Sequence, residues 1–411
     1  MLPDGPRVLV VGGGPTGLAT AALLAQQGVA SLLVERRTEP HPLPRAVHLD
    51  DEVMRVLQQV GVAGSLLPLT RPALGMRLLD ADLRTMVEFG RSEPVGVHGY
   101  PQASMFHQPD LDRLLREHVA SLPDVQVREG VELVGLAGTR ATLRDVTTGQ
   151  VDEVAVDAVL GCDGAHSTVR ELLGTGWRDL GFEERWLVVD VRRTEPLGTW
   201  DGVHQVCDPR RPSTYMQVGE DRYRWEFRLH DGESAADVSV AELLRPWTDR
   251  PVEVVRSVEY VFRARLAGRW RDGRVLLLGD AAHQTPPFVG QGLGSGLRDA
   301  ANLSWKLAAV LHGAADDLLD SYETERAPHA EALIRTAITV GWAMTGGQDR
   351  AAHVRRAALA LLCRLPRLTR TVLDRGTPPL RPGPAVAKGR PAGRLLPQPR
   401  PGADDRLGRG W

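Results

Sequence analysis

Four places in this 411-residue chain bring together residue types that do chemistry in concert. An apolar run, Val8 to Val11, leads into Gly12-Gly-Gly-Pro15-Thr16-Gly17, and a second run, Ser31 to Val34, ends at Glu35-Arg36-Arg37. Ala158 to Cys162 ends at Asp163-Gly164, and Val275 to Leu278 ends at Gly279-Asp280, ahead of a Pro286-Pro287 loop and a glycine-dense turn. The G-x-G-x-x-G frame at Gly12, Gly14 and Gly17 is that of a pyrophosphate turn. The first glycine allows the tight turn, the second the approach of backbone to phosphate, and the third close packing of helix on strand. Glu35 is placed to accept from ribose hydroxyls. A glycine turn without a ligand is the alternative reading, but strand, helix and acid in register argue against it.

Asp163 and Asp280 go beyond the needs of a plain nicotinamide-dependent dehydrogenase. Further carboxylates at strand ends suit a longer ligand with more hydroxyls, such as the ribityl chain of FAD, with Asp280 as an acceptor. The helix that follows Gly292 points its positive end at the ring, where it stabilises negative charge developing at N1 on reduction.

These residues need a frame to hold them. Strand, glycine turn, helix (Leu18 to Gln27, closed by Gly28) and strand make a βαβ start. The segment from Pro44 to Glu52 opens a helix running to Gly61, its acids in the first turn as the helix dipole prefers. Met76 to Phe89 reads as a hairpin. Gln108 begins a helix with Leu111, Leu114, Leu115 and Val119 on one face. Val125 to Val156 holds several strands, and Ser167 to Leu173 a helix. Beyond residue 176 the pattern changes. Arg222 to His230 alternates strictly, with Tyr223, Trp225, Phe227 and Leu229 on one face and charged residues on the other, as in an antiparallel sheet with one dry face. Trp186–Arg193, Ser213–Val218 and Val252–Arg265 supply its neighbours. Leu318 to Arg375 is helical in pattern, and the end of the chain is dense in Pro and Gly. The expected fold is α/β. A split Rossmann-type, glutathione-reductase-like FAD-binding domain (1–175 and 266–375, the latter with the C-terminal helices) encloses an inserted, mainly antiparallel substrate domain (176–265), and a tail follows (376–411).

Composition narrows the function classes. A net charge of -2 leaves no electrostatic footprint for nucleic acid or an anionic membrane. The three cysteines, Cys162, Cys207 and Cys363, are far apart and have no metal-ligand spacing. No signal sequence and no membrane-spanning run is evident, so a cytoplasmic protein, monomeric or homodimeric, is expected.

Gly12 to Gly17, Gly161-Cys-Asp163-Gly164 and Gly279-Asp280-Ala-Ala-His283 resemble, in order, the three signature motifs of class A flavoprotein aromatic hydroxylases. Pro44-Arg45-Ala, Arg224-Trp-Glu-Phe227, Pro286-Pro-Phe-Val-Gly-Gln-Gly292 and Arg298-Asp-Ala-Ala-Asn302 are similar to the branch containing 3-(3-hydroxyphenyl)propionate hydroxylases and polyketide-tailoring hydroxylases. The resemblance spans roughly residues 7 to 330. It implies that Gly12, Gly14, Pro15, Thr16 and Gly17 hold the pyrophosphate of FAD, and Glu35 with Arg36 the adenosine end. It places Arg45 and Gln108 on the ribityl-diphosphate stretch and gives Asp163 to both FAD and NAD(P)H. Asp280 then holds the ribityl chain, while Pro287, Gly290, Gln291, Gly292 and Leu293 wall the ring. Residues 392–410 resemble the lead-in to a thioredoxin-like third domain carried by many relatives, and the given sequence stops at Trp411.

The implied activity is a monooxygenase. NADPH or NADH reduces the flavin, O₂ adds at C4a, and the hydroperoxide hydroxylates a phenolic or polycyclic aromatic substrate. There is no second G-x-G-x-x-G, so NAD(P)H binds in a groove. His48 is a candidate acceptor for a phenol proton, although a His bonded to backbone at a helix start is commoner. Tyr223, Trp225 and Phe227 are candidates to roof the substrate, although such a stripe is more often core. His283 is expected to fix its loop through backbone hydrogen bonds. A flavin halogenase is disfavoured, lacking its Trp-x-Trp-x-Ile-Pro string. Baeyer–Villiger oxygen insertion, or flavin binding without turnover, stays open.

Overall fold

The computed structural model describes residues 6–39, 44–91, 94–345, 377–381, 386 and 393–394. Val8–Val11 is a strand buried on both faces, as a short apolar run without alternation requires. It lies inside a six-stranded sheet, between Ser31–Glu35 and Ala158–Gly161 and parallel to both. Val125–Glu129 extends the parallel sheet on one side and Val275–Leu277 on the other, and Arg271–Asp272 closes that edge antiparallel. The five parallel strands thus end at one edge, where sheets of this kind receive ligands. Helix Pro15–Gln26 follows the glycine turn with Pro in its first turn. It packs against helix Gly292–Leu311, so the two glycine turns lie at neighbouring helix starts.

A second sheet has eight strands, in the order 283–284, 253–267, 177–192, 222–228, 213–217, 203–206, 75–79 and 85–90. Its spine is the antiparallel ribbon of Trp177–Arg192 with Glu253–Ala267. The hairpin of Gly75–Leu79 and Thr85–Gly90 joins by parallel pairing with Val203–Val206. The sheet therefore also draws strands from outside residues 177–267. The face carrying Leu187, Val189, Tyr223, Trp225 and Phe227 is a closed apolar core, covered by Leu244 and Trp247. The opposite face looks toward the first sheet.

Two elements differ from the sequence expectation for identifiable reasons. Strand Trp177–Arg192 starts well before the apolar run at Trp186, because Gly181, at φ +78°, and a register shift between Asp179 and Glu183 interrupt the alternation. The segment expected to open a helix at Pro44 instead forms a strand, His48–Asp50, before helix Asp51–Val60. Asp50 is the N-cap, its carboxylate accepting from the Val53 amide at 2.8 Å, which sets the helix start there. Helix Asp320–Thr345 covers the described part of the expected C-terminal helices. Residues 346–375, and most of the tail, lie outside the described residues. Among the described residues no helix is long and apolar enough to cross a membrane.

Candidate active site

A cavity of about 1440 Å³ runs from the first glycine turn to the inner face of the eight-stranded sheet. Pockets for one small ligand are typically about 300–1,000 Å³, so this one has room for a dinucleotide and a second molecule. Gly14, Pro15 and Thr16 line one end, and Trp186, Leu78 and Met216 line the other.

At the turn, Gly12 adopts φ +109°, and a Cβ there would lie 2.4 Å from the Cys162 carbonyl oxygen. A Cβ on Gly17 would lie 2.0 Å from the carbonyl oxygen of Gly12. Neither lines the cavity; both allow the helix to sit close on the strands. Gly14 is the reverse case. Nothing lies within 4 Å of its would-be Cβ, which opens on the cavity wall. The turn therefore fits a phosphate approaching bare backbone. Glu35 accepts from the Gly13 amide at 2.7 Å and the Arg37 amide at 3.0 Å, bracing the turn. Neither Glu35 nor the exposed Arg36 is on the cavity wall.

The other two strand-end carboxylates divide. Asp280 is on the wall, 3.8 Å from Arg45 Nη1, with both side chains partly exposed. Asp163 turns away, accepting from the Ser167 hydroxyl and the Val169 amide, and so fastens the start of helix Thr168–Leu172. Burial pushes its carboxyl pKa up, and the wall is formed by its neighbours Gly164, Ala165 and His166. Gln108 is buried, and its Oε1 accepts from the amides of Arg45 (2.7 Å) and Ala46 (2.8 Å), holding the loop that presents Arg45. Pro287, Gly290, Gln291, Gly292 and Leu293 are all on the wall. Helix Gly292–Leu311 has no acid in its first turn and no capping side chain, which leaves its positive end available.

His48 is on the wall, its ring against Gly290, where a Cβ would come within 3.0 Å of Nδ1. Burial depresses its pKa despite Asp50 nearby, which favours the neutral ring, and Nδ1 is buried against the Gly290 backbone. The acids beside it do more than start a helix. Asp50 and Glu52 both bind the buried Arg298, at 2.7 and 2.8 Å, and Gln291 bridges Asp50 and Arg298. Burial alone would raise the Asp50 carboxyl, but the charge and hydrogen bonds of Arg298 outweigh it and hold the pKa at about 2. His283 is fixed by a carboxylate rather than by backbone. Its Nε2 lies 2.6 Å from Asp299, which also binds Arg326 at 2.7 Å and accepts from the Gly279 amide. Sequence reasoning missed both networks, whose members lie far apart in the chain. The spacing of Arg298 and Asp299 on one helix was the available signal.

The substrate face needs a correction. Tyr223, Trp225 and Phe227 do not line the cavity; they pack into the closed core on the far side of the sheet. Trp225 is 0 % exposed, its ring centroid 4.8 Å from that of Tyr215. Alternation puts the intervening Arg224 and Glu226 on the cavity side instead. The alternation is as expected, and the charged face meets an enclosed site rather than open solvent. Arg224, 1 % exposed, grips Asp190 and donates to the carbonyls of Pro44 (2.8 Å) and Arg45 (3.0 Å). It thereby ties the eight-stranded sheet to the loop that carries Arg45.

Residues 6–337 match the family model described as FAD binding domain. A probable NADH-specific resorcinol 4-hydroxylase of Rhodococcus jostii (strain RHA1) is 38% identical over 366 residues, covering 87% of this chain and 69% of the relative. A 3-(3-hydroxy-phenyl)propionate/3-hydroxycinnamic acid hydroxylase of Mycobacterium sp. (strain KMS) is 37% identical, covering 96% of this chain and 70% of the relative. Among solved structures, a ternary complex of aklavinone-11 hydroxylase with FAD and aklavinone matches with TM-score 0.74 at 28% identity, covering 85% of this chain and 70% of that one. Family match and relatives agree: the chain belongs to the class A flavin-dependent aromatic hydroxylases and is an FAD-dependent monooxygenase.

Proposed function

We propose that one FAD lies along the cavity from the Gly12–Gly17 turn to the Pro287–Leu293 loop. A phenolic or polycyclic aromatic substrate then sits beneath the eight-stranded sheet. The observation that carries this reading is the continuity of the cavity, whose wall passes from bare glycine backbone and Asp280 to apolar Trp186, Leu78, Phe89 and Met216. Bound FAD supplies hydride acceptance from NAD(P)H and the activation of O₂. In this reading Gly14, Pro15 and Thr16 hold the pyrophosphate, Glu35 and Arg36 the adenosine end, and Arg45 and Asp280 the ribityl stretch. Gln108 positions Arg45, and Asp163 shapes the loop against which NAD(P)H approaches. Neutral His48, on the cavity wall, accepts a proton from the substrate hydroxyl. Residues 1–175 and 266–375 form the split FAD-binding domain. Residues 176–265 form the inserted substrate domain, to which the 75–90 hairpin adds two strands, and 376–411 a tail. The protomer works as a monomer or homodimer.

A phenol is in keeping with relatives named for resorcinol and for hydroxyphenyl acids, and a larger ring system with the aklavinone complex. The test is product mass spectrometry after incubating the FAD-loaded protein with NADH or NADPH and a panel of phenols and polycyclic quinones. Mass gain of one oxygen, with substrate-stimulated NAD(P)H oxidation, is expected; a flavin-loaded protein that oxidises NAD(P)H with none of them would overturn the reading. Asp280→Ala removes a charged acceptor and should weaken FAD binding about tenfold or more. Normal flavin affinity in the variant would remove Asp280 from the site.

A further inference from the structure

On the cavity face of the eight-stranded sheet, three polar side chains stand in one row across neighbouring strands. Glu226 pairs in register with Thr214, and Thr214 with Gln205. Val188 and Leu78 flank the row, and Trp186 and Met216 stand beside it. Thr214 donates to Gln205 Oε1 at 2.9 Å. Both hydrogens of the Gln205 amide are used within the sheet, on the carbonyls of Ser213 (3.0 Å) and Val206 (3.3 Å). Toward the cavity the row therefore offers acceptors and no free donor.

Glu226 is the unfilled member. It is 8 % exposed and lines the cavity. Its carboxylate has no hydrogen bond among the described residues, and its one ion contact is Arg224 Nη1 at 4.0 Å. That guanidinium is already committed to Asp190 and to the carbonyls of Pro44 and Arg45, and Arg256 is likewise held by Asp190 and the Pro44 carbonyl. A buried carboxylate without a donor is costly. Burial raises its pKa, and Arg224 and Arg256, themselves countered by Asp190, only partly offset this. A ligand that brings a donor relieves the cost, whereas one that brings a carboxylate adds a second anion beside Glu226, where Arg224 and Arg256 are already paired with Asp190.

We propose that Glu226 contacts the substrate, accepting a hydrogen bond from a ring hydroxyl, and that this subsite selects neutral polyhydroxylated aromatics over aromatic carboxylates. The inference rests on the phenolic reading above and narrows its substrate class. Losing a hydrogen bond to a charged acceptor costs about tenfold or more in affinity.

The test titrates oxidised holoenzyme without NAD(P)H, following the flavin spectrum, with two matched pairs. These are resorcinol against 3-methoxyphenol, and 1,3-dihydroxynaphthalene against 3-methoxy-1-naphthol. Wild type should bind the dihydroxy member of at least one pair about tenfold tighter than its methyl ether. Glu226→Leu should erase the difference. Glu226→Gln, which adds a donor, should narrow it and improve binding of 3-(3-hydroxyphenyl)propionate. Equal affinities within both pairs in wild type, or an unchanged ratio in Glu226→Leu with normal FAD content, overturns the inference. If a variant loses FAD, the wild-type pairs decide alone. Hydroxylation of any of these phenols with NAD(P)H keeps the phenolic reading even when Glu226 proves indifferent. If none binds and none is hydroxylated, that reading fails and the inference fails with it.

Discussion

The two faces of strand Arg222–Arg228 are one residue apart in sequence and opposite in chemistry. Tyr223, Trp225 and Phe227 meet Leu187, Val189 and Tyr215 in a dry core. Arg224 and Glu226 meet a cavity. Among the described residues the dry face even leaves the Tyr223 hydroxyl and Trp225 Nε1 without partners, whereas on the polar face the donors of Arg224 are engaged with Asp190 and two loop carbonyls. Aromatic bulk here stabilises the sheet, and only the charged residues between reach the cavity. Removing residues one face at a time should separate stability from binding.

The largest effect is expected from Trp225→Ala. Truncating a fully buried Trp costs about 3–5 kcal/mol, read as a lower denaturation midpoint in the FAD-loaded protein. In protein that stays folded, flavin affinity should be unchanged. A comparable loss of flavin affinity would mean that the two faces are not separable. Arg224→Ala comes next, at about 2–3 kcal/mol, because Asp190 keeps its 2.6 Å contact with Arg256 and is not stranded. Here the binding readout should move. The Pro44–Arg45 loop loses two hydrogen bonds, so FAD affinity should fall even where the variant is folded. Arg224→Lys should not restore it, since one ammonium cannot reproduce the planar fork.

The same strand shows what was legible in the sequence. The βαβ start, the glycine frame and the parallel strands at Ala158 and Val275 follow from uninterrupted apolar runs and turn residues, and the structure has them within a residue or two. Period two on Arg222–His230 marked one dry face. It carried no information about what the other face meets, because an exposed surface and a ligand cavity both tolerate Arg and Glu. The Asp50–Glu52–Arg298 and His283–Asp299–Arg326 networks were illegible for a different reason. The first joins residues 246 and 248 positions apart and the second joins three separate elements, and only the packing of helices Asp51–Val60, Gly292–Leu311 and Asp320–Thr345 brings them together.

A smaller effect separates the faces by pH. Burial raises the Glu226 carboxyl above its ordinary value of 4.5. Between 4.5 and the raised folded value, the folded state therefore holds more protons than the unfolded state, so stability falls as pH rises through that window. Glu226→Gln does not titrate. Its stability relative to wild type should therefore rise with pH across that window and level off above it. A flat difference across the pH range, measured by denaturation, would show that the carboxyl is not desolvated by the fold.

The smallest effect belongs to the dry face. Tyr223→Phe removes a hydroxyl that is buried without a partner and leaves the ring among Tyr215, Trp225 and their neighbours. An unsatisfied buried polar group costs about 1–3 kcal/mol, so deleting it should be neutral or stabilising, by up to about 1 kcal/mol once the lost packing of one oxygen is set against it. Flavin affinity and the discrimination between each phenol and its methyl ether should not move. A destabilisation of more than about 1 kcal/mol would mean that the hydroxyl has a partner in solution. A change in ligand discrimination would place Tyr223 within reach of the cavity, and the division of labour between the two faces would then be wrong.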